Sequence, residues 1–265
     1  MKFYLTLFFL FFSSLSQAEL QLYIFDCGRI SIPDVSVFGL NEGETEVKEL
    51  FVPCYLIKHD DHLMIWDAGL PLSSVGEVGG TTRYEISLID QLASMDIEPT
   101  DIDFVAYSHM HYDHVGAANT FKESTLLIQA DEAEAAFEAP EEIAAYRPEL
   151  YADIINSTRI TLNGDHDVFG DGAVRIFSAP GHTPGHQVLY LELSEFGPLV
   201  LSGDLYHLEA SRELRRMPTF NTDRGETLRS MDKIEGIVES SNATFWIEHN
   251  LKLANSLNLA PNYYD

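Results

Sequence analysis

The six residues from His109 to His114, His-Met-His-Tyr-Asp-His, constrain this chain more than any other part of its sequence. The apolar run at residues 103–107 predicts a buried strand before them, and residues 115–120 predict the first turns of a helix after them. Three imidazoles and one carboxylate therefore meet at a strand-to-helix turn, where they can point toward one place. Imidazole nitrogens and carboxylate oxygens are the ligands expected for zinc and related divalent metals. The segment predicts a metal site.

The spacing within this segment predicts room for two metal ions. Residues two apart on an extended segment lie on the same side, so His109 and His111 can hold one ion. Asp113 and His114 lie beyond the bend and can reach a second ion. A structural role would instead require three separately satisfied imidazole rings within one turn, which makes a metal site the favoured interpretation.

Further ligand-type residues follow other apolar segments of the chain. Residues 173–178 precede a Pro-Gly turn that carries His182, residues 199–202 precede Asp204, and residues 243–247 precede His249. Active sites of layered α/β proteins lie at strand ends. Because each ligand-type residue follows a predicted strand, we expect these side chains to share one site with the histidine-rich turn.

These residues, in this order, resemble the metallo-β-lactamase superfamily, whose His-x-His-x-Asp-His segment is followed by a His, an Asp and a His. Residues 65–69, Ile-Trp-Asp-Ala-Gly, also resemble the early strand of that superfamily that ends in Asp-x-Gly. The likeness covers nearly the whole chain from about residue 20 onward. Within the superfamily, residues 52–57, 205–207 and 215–221 resemble the N-acyl-homoserine lactonases in particular.

The resemblance implies two zinc ions, with other divalent metals as alternatives. Carried over residue by residue, it assigns His109, His111 and His182 to the first ion, Asp113, His114 and His249 to the second, and Asp204 to both. Two cations roughly 3.5–4 Å apart need a bridging anion, which a carboxylate supplies. A water on such an ion has its pKa lowered to about 7, so hydroxide is available at neutral pH.

The remaining histidines and Asp67 have simpler interpretations. His59, His62 and His166 lie in polar turns and are expected to face solvent. His186 begins an apolar run and is expected to pack or to orient a ligand rather than bind the metal. Asp67 either orients a ligand, as the resemblance implies, or is an ordinary turn residue at a strand end.

The resemblance also indicates candidate catalytic residues. It implies that Asp113 relays a proton, in addition to binding metal. The best-known lactonases carry a tyrosine three positions after the bridging aspartate, where its hydroxyl helps to polarise the lactone carbonyl. Here that position is His207, and the tyrosine is Tyr206, one residue earlier. A neutral imidazole N–H can aim a donor at a developing oxyanion, but a histidine packed on the rim is the alternative.

The resemblance implies one domain at residues 19–265, an α/β four-layer αββα sandwich whose two similar halves hold the metals in a groove. The hydrophobic pattern predicts a hairpin of residues 51–57 and 63–66, a strand at 126–128, helices at 83–95 and 222–238, and a helix capped by Asp131. Two stretches depart from this core, residues 32–49 and a predicted helix at 140–155 that carries Tyr146 and Tyr151. Each could wall an acyl-chain pocket, pair subunits in a homodimer or pack on the surface.

The charge balance limits the partners. The chain has 16 Lys and Arg against 42 Asp and Glu, a formal net charge of −26. Such a surface repels phosphate backbones, which argues against nucleic acid and other polyanions. It suits a neutral or amphiphilic small molecule such as a lactone.

Cys27 and Cys54 are the two cysteines, each in a predicted early strand. They can form a disulfide in an oxidising compartment if the two strands are neighbours. Two buried free thiols are the preferred interpretation. Neither residue has the spacing of a zinc ligand.

The predicted function is metal-dependent hydrolysis of the ester bond in N-acyl-homoserine lactones, which quenches quorum signals. An organophosphate triesterase or a thioester hydrolase on the same site is the alternative. The β-lactamases of the superfamily lack the bridging aspartate, so Asp204 argues against them. A redox or purely structural metal is disfavoured by the complete ligand set.

The first eighteen residues predict export. Met1-Lys2, the apolar residues 3–12 and the small residues up to Ala18 have the pattern of a signal peptide that is cleaved, leaving a periplasmic or secreted protein without a membrane anchor. The intact protein from its native host should therefore begin at Glu19, as mass spectrometry of its N-terminal peptide can show. A cytosolic protein that still begins at Met1 would contradict export.

Overall fold

Two β-sheets packed face to face organise the protein, and this computed structural model describes residues 19–76 and 80–265. The predicted signal peptide lies outside the described residues. Within them, the first sheet comprises β1 Leu20–Ser31, β2 Glu49–His59, β3 His62–Ala68, β4 Thr81–Arg83, β5 Phe104–Ala106, β6 Thr125–Gln129, β7 Arg159–Leu162 and β13 Tyr263–Tyr264. The strand order is β13-β1-β2-β3-β5-β6-β7, with β4 paired to β1.

The second sheet follows in the chain and is antiparallel except at one edge. It comprises β8 His166–Asp167, β9 Val174–Ser178, β10 Gln187–Leu193, β11 Gly197–Leu201 and β12 Thr244–Trp246. The order is β12-β11-β10-β9-β8, and β11 and β12 are parallel. Therefore β9, β11 and β12 all end at the same edge of this sheet, which places the turns that follow them side by side.

Side chains that alternate between the two faces of each strand produce the layers of the fold. In β1, Leu22 and Ile24 belong to the buried cluster between the two sheets, together with Ile176 and Leu189 of the second sheet. Phe25 lies in the cluster on the other face of the first sheet. Because successive side chains of a strand point to opposite faces, each sheet has two apolar faces to cover. Helices cover the outer faces, which confirms the predicted αββα sandwich.

The helices are α1 Leu88–Ala93, α2 Ala130–Glu138, α3 Glu209–Glu213, α4 Arg224–Ser241 and α5 Leu251–Ala254. Helix α4 confirms the prediction at 222–238, since Asp223 caps its first turn by accepting from the Glu226 N–H at 2.8 Å. It packs on the outer face of the second sheet through Met231 and Ile234. Within the described residues, every helix is too short or too polar to span a lipid bilayer.

Several local predictions were wrong. Of residues 83–95 only α1 is helical, because Arg83 belongs to the strand β4 that pairs with β1, and Ser87 caps the helix by accepting from the Asp90 N–H. Asp131 does not cap α2, which begins one residue earlier, at Ala130. The segments at 115–120 and 140–155 form short 3-10 turns rather than α-helices, at Ala118–Phe121, Pro140–Glu142, Pro148–Leu150 and Ala152–Asn156. In the second segment, Pro140 and Pro148 each begin a separate 3-10 turn, and Ala145 adopts a positive φ of 69°. Both features interrupt an α-helix.

The preference for free thiols was also wrong, because Cys27 and Cys54 form a disulfide. The strands β1 and β2 are neighbours, and the pairing of Phe25 with Cys54 brings the cysteines to a Cα–Cα distance of 5.8 Å. This separation suits a disulfide. The bond lies in the buried cluster on the helix-covered face of the first sheet.

Replacing both cysteines, Cys27→Ala with Cys54→Ala, should lower the free energy of unfolding of the metal-loaded protein by about 2–4 kcal/mol. The bridge closes a loop with a sequence separation of 27, and its loss frees the unfolded chain. Urea denaturation of the oxidised wild type and the double variant measures the difference. A wild type whose stability does not change on reduction of the disulfide would contradict the prediction.

Candidate metal centre

The seven predicted ligands converge where the two sheets meet. His109, His111, Asp113 and His114 lie in the turn after β5, His182 in the turn after β9, Asp204 after β11 and His249 after β12. All seven side chains are buried. The prediction that strand ends would gather these residues therefore describes their positions correctly.

The first group contains three histidines. Nδ1 of His111 lies 2.8 Å from Nε2 of His109 and 3.1 Å from Nε2 of His182. Oδ2 of Asp204 lies 3.1 Å from Nε2 of His182 and 3.5 Å from Nε2 of His109. These four ligand atoms fit around one small cation.

The second group contains Asp113, His114 and His249. Oδ2 of Asp113 lies 3.8 Å from Nε2 of His114 and 3.7 Å from Nε2 of His249. The other oxygen of Asp204, Oδ1, lies 3.4 Å and 2.8 Å from these two nitrogens. Asp204 therefore turns one oxygen to each group, as a bridging carboxylate must.

The outer ring nitrogens of three histidines are held by the surrounding chain. Nδ1 of His114 lies 2.7 Å from Oδ2 of Asp67, and that of His182 lies 2.9 Å from Oδ1 of Asn221. Nδ1 of His249 lies 2.7 Å from the Phe51 carbonyl oxygen. Because each of these oxygens accepts a hydrogen bond from an Nδ1–H group, the Nε2 lone pair faces the cluster. The geometry favours the ligand-orienting interpretation of Asp67.

The site has the chemistry of a cation site. In the described part of the chain, Nε2 of His114, Nε2 of His249 and Oδ1 of Asp204 are buried without a hydrogen-bond partner, which is costly. Burial, followed by neighbouring histidines, lowers the pKa of His109 and His111 well below 6.5, which leaves neutral imidazoles able to bind metal. Although burial opposes it, Asp67 raises the pKa of His114 and Asp204 that of His249, so a metal ion would displace a proton from these two rings. Divalent cations would satisfy both the unpartnered atoms and these lone pairs. The residues therefore fit the implied metal ions.

The two candidate donors after Asp204 point in different directions. Nε2 of His207 lies 3.0 Å from Oδ2 of Asp204, and its buried Nδ1 has no partner among the described residues. Tyr206 has extended backbone and therefore projects to the other face, where its ring packs near Phe245 at 5.9 Å. Tyr206 therefore lies away from the seven candidate ligands, whereas His207 lies beside Asp204.

The other histidines divide between surface and interior. His62 is exposed and His166 half-buried, but the prediction for His59 was wrong. His59 is buried because Phe169 stacks on its ring at 4.2 Å and Asp171 bonds to it at 2.8 Å. His186 orients a ligand, since it accepts from the Asp204 N–H at 2.9 Å. Burial, then His182, lowers its pKa to about 3, so it stays neutral and can accept.

Two buried carboxylates near the site cannot be recognised from the sequence pattern alone. Glu248 accepts from the Gly203 N–H at 2.9 Å and from Trp66 Nε1 at 3.2 Å. Burial, then Asp67, raises its pKa to about 8. In the sequence, only the position of Glu248 next to His249 indicates that it lies near the site. Glu132, in α2, is surrounded by hydrogen-bond donors, and nothing in the sequence distinguishes it from the exposed Glu134 two residues later.

A cavity of about 230 Å³ opens onto the cluster. Its polar floor is formed by His111, Asp113, Asp204, His207 and His249, and its apolar wall includes Ile30, Ile32, Val37, Phe38, Leu50 and Phe220. Part of residues 32–49 therefore forms the wall of a pocket, one of the roles considered for that segment. The Thr219 N–H donates to the Val37 carbonyl at 2.8 Å, which fixes the segment over the site.

Comparisons with known proteins agree with this arrangement. The model of the metallo-beta-lactamase superfamily matches residues 47–237. The N-acyl homoserine lactonase AttM of Azorhizobium caulinodans is 30% identical over 267 residues, which cover 93% of this chain and 99% of that protein.

Solved structures give the same result. The structure described as a quorum-quenching N-acyl homoserine lactone lactonase superposes with a TM-score of 0.79 at 25% identity, covering 93% of this chain and 98% of that one. A second, an N-acyl homoserine lactone hydrolase with the product N-hexanoyl-L-homoserine bound at its catalytic metal center, has a TM-score of 0.78 at 25% identity. It covers 93% of this chain and 99% of that one.

The variant Asp204→Asn should retain less divalent metal than the wild type, because a neutral amide bridges two cations poorly. Elemental analysis after metal loading and dialysis measures the retained metal. Asp61→Asn, in the exposed turn between β2 and β3, is the matched control and should retain as much as the wild type. Equal metal in Asp204→Asn and the wild type would exclude a bridging role.

Proposed function

Since this chain belongs to the metallo-beta-lactamase superfamily, we propose that it hydrolyses the ester bond of N-acyl-homoserine lactones at two zinc ions. The observation that carries the proposal is Asp204, whose two oxygens face two separate groups of ligands on the floor of a largely apolar cavity. The names of the relatives supply the substrate class.

The chain holds the ions and positions the substrate. Two bound divalent cations supply Lewis acidity toward a carbonyl oxygen and a water of lowered pKa. His109, His111 and His182 would hold one ion, Asp113, His114 and His249 the other, and Asp204 both. Asp113 also lines the cavity, so its carboxylate is placed to take up the proton that the attacking water gives up and to pass it to the departing alkoxide oxygen of the lactone.

His207 supplies a further polar group at the reacting carbonyl. A carboxylate only accepts hydrogen bonds, so Nε2 of His207 carries the proton that it shares with Asp204 at 3.0 Å. A substrate oxygen beside Asp204 can accept a hydrogen bond from the same N–H as negative charge develops on that oxygen. The ring is held in place by Phe38, at a centroid distance of 4.8 Å.

The cavity and the charge of the protein suit an amphiphilic, uncharged substrate. The apolar wall formed by residues such as Val37, Phe38 and Phe220 can cover an acyl chain while the lactone ring occupies the polar floor. The net charge of −26 disfavours polyanionic substrates.

We also propose that the protein acts outside the cytosol. The signal-like pattern of residues 1–18 and the buried disulfide between Cys27 and Cys54 support export, because disulfides persist in oxidising compartments.

The substrate proposal can be tested with the purified, zinc-loaded protein. It should open N-acyl-homoserine lactones with a higher kcat/KM than it shows for paraoxon, nitrocefin or a glutathione thioester. A protein that opens no acyl-homoserine lactone of any chain length but cleaves the phosphotriester well would make the organophosphate alternative correct.

The variant His207→Ala should lower kcat for lactone opening by about 10²–10³-fold, the effect of removing one oxyanion donor. Its zinc content should match that of the wild type, since the seven ligands are retained. His62→Ala, an exposed histidine on β3, is the control and should leave kcat unchanged. If His207→Ala retains full kcat, the residue serves only as packing.

A further inference from the structure

Glu132 lies in the first turn of α2 and is only 1% exposed, yet it does not belong to either group of candidate ligands. Its carboxylate accepts hydrogen bonds from the Met110 N–H at 2.8 Å, the Tyr146 hydroxyl at 2.7 Å, the Thr183 hydroxyl at 2.7 Å and the Gly185 N–H at 2.9 Å. Each oxygen receives one backbone N–H and one hydroxyl. The carboxylate is therefore fully occupied by donors.

The arrangement of these donors suits a carboxylate. A backbone N–H can only donate, and one such group faces each of the two oxygens. Burial raises the pKa of Glu132 above its ordinary value, and hydrogen bonds from Tyr146, Thr183 and the two backbone groups oppose this rise. The four donors therefore compensate a buried negative charge on this carboxylate.

The donors belong to the two turns that carry the first group of ligands. Met110 lies between His109 and His111, and its N–H bonds to Oε1 of Glu132. Thr183 follows His182 directly and bonds to Oε2. One carboxylate therefore fixes the turn after β5, from the first sheet, against the turn after β9, from the second.

Two neighbours strengthen this connection. Gly185 allows the close approach, because a Cβ there would lie 2.4 Å from the Glu132 nitrogen. Tyr146 links Glu132 to His111 a second time, since its backbone forms a β-bridge with His111 and its ring lies 5.6 Å from the imidazole. The second group is held differently, through Asp67 and the Phe51 carbonyl.

We propose that Glu132 is a positioning residue for the first metal site, where it sets the distance between the His109–His111 turn and His182. The proposal depends on metal binding by the clustered side chains and not on the identity of the substrate. Groups outside the ligand shell that orient ligands commonly change metal affinity by about 10–100-fold when they are replaced.

The variant Glu132→Gln tests the proposal, because the amide replaces one acceptor oxygen with an NH₂ group that faces donors. One equivalent of Zn²⁺ should bind about 10–100-fold more weakly than to the wild type, as measured by competition with a chromophoric chelator. Glu134→Gln, on the exposed side of the same helix, is the matched control and should bind both equivalents normally.

Two variants that each lack one ligand show which of the two metal sites Glu132 affects. His249→Ala removes a ligand of the second group, and His109→Ala removes a ligand of the first. Adding Glu132→Gln should weaken Zn²⁺ binding in the His249→Ala protein and leave it unchanged in the His109→Ala protein. An equal loss in both would show general destabilisation and overturn the proposal.

Thr183→Val keeps the test decisive if Glu132→Gln does not fold. It removes one of the four donors and retains the shape of the side chain, so it should weaken the first site in the same direction by a smaller factor. Wild-type affinity for both equivalents in the folded variants would overturn the proposal. Because Zn²⁺ binding is the readout, the result is independent of whether the protein opens lactones.

Discussion

The buried carboxylate of Asp204 is the interaction on which the site depends. It lies between five imidazoles, and its two oxygens address two different groups of ligands. A buried charge is tolerated only when it is compensated, so the surrounding chain has to deliver positive charge or donors to it. The His186 ring helps to hold Asp204 in place, because its Nε2 accepts a hydrogen bond from the Asp204 backbone N–H at 2.9 Å. The fold supplies the other compensating groups, because β5, β9, β11 and β12 all end near this carboxylate.

The layer behind the ligands connects the site to the core. Asp67 bonds to His114 and also accepts from the Ser108 N–H at 2.6 Å, so it fixes both ends of the histidine-rich turn. Two residues later, a Cβ on Gly69 would lie 2.3 Å from Cβ of Cys27. The disulfide therefore packs directly against the loop that presents Asp67. Because interiors are close-packed, a change at this bridge is felt by the ligand-bearing turn.

The ligands could be predicted from the sequence because each follows an apolar strand directly, and a strand end is a local feature. His59 was misassigned because its burial comes from Phe169, more than a hundred positions away. The disulfide required the register of β1 with β2, which composition does not contain. Glu132 was missed for the same reason, since its four donors lie on segments that only the fold brings together. Local pattern predicts the groups that do chemistry, and tertiary contacts determine the groups that orient them.

The contact between His207 and Asp204 determines which nitrogen of His207 can face a substrate. Because Nε2 donates to Asp204, the buried Nδ1 of the neutral ring carries a lone pair and has no partner among the described residues. The hydrogen of the ring therefore lies on the nitrogen that faces Asp204 on the floor of the cavity, whereas Nδ1 is enclosed by the protein. His207 can therefore offer a donor to a substrate oxygen held beside Asp204, and the direction of that N–H is set by the same carboxylate that faces both groups of ligands.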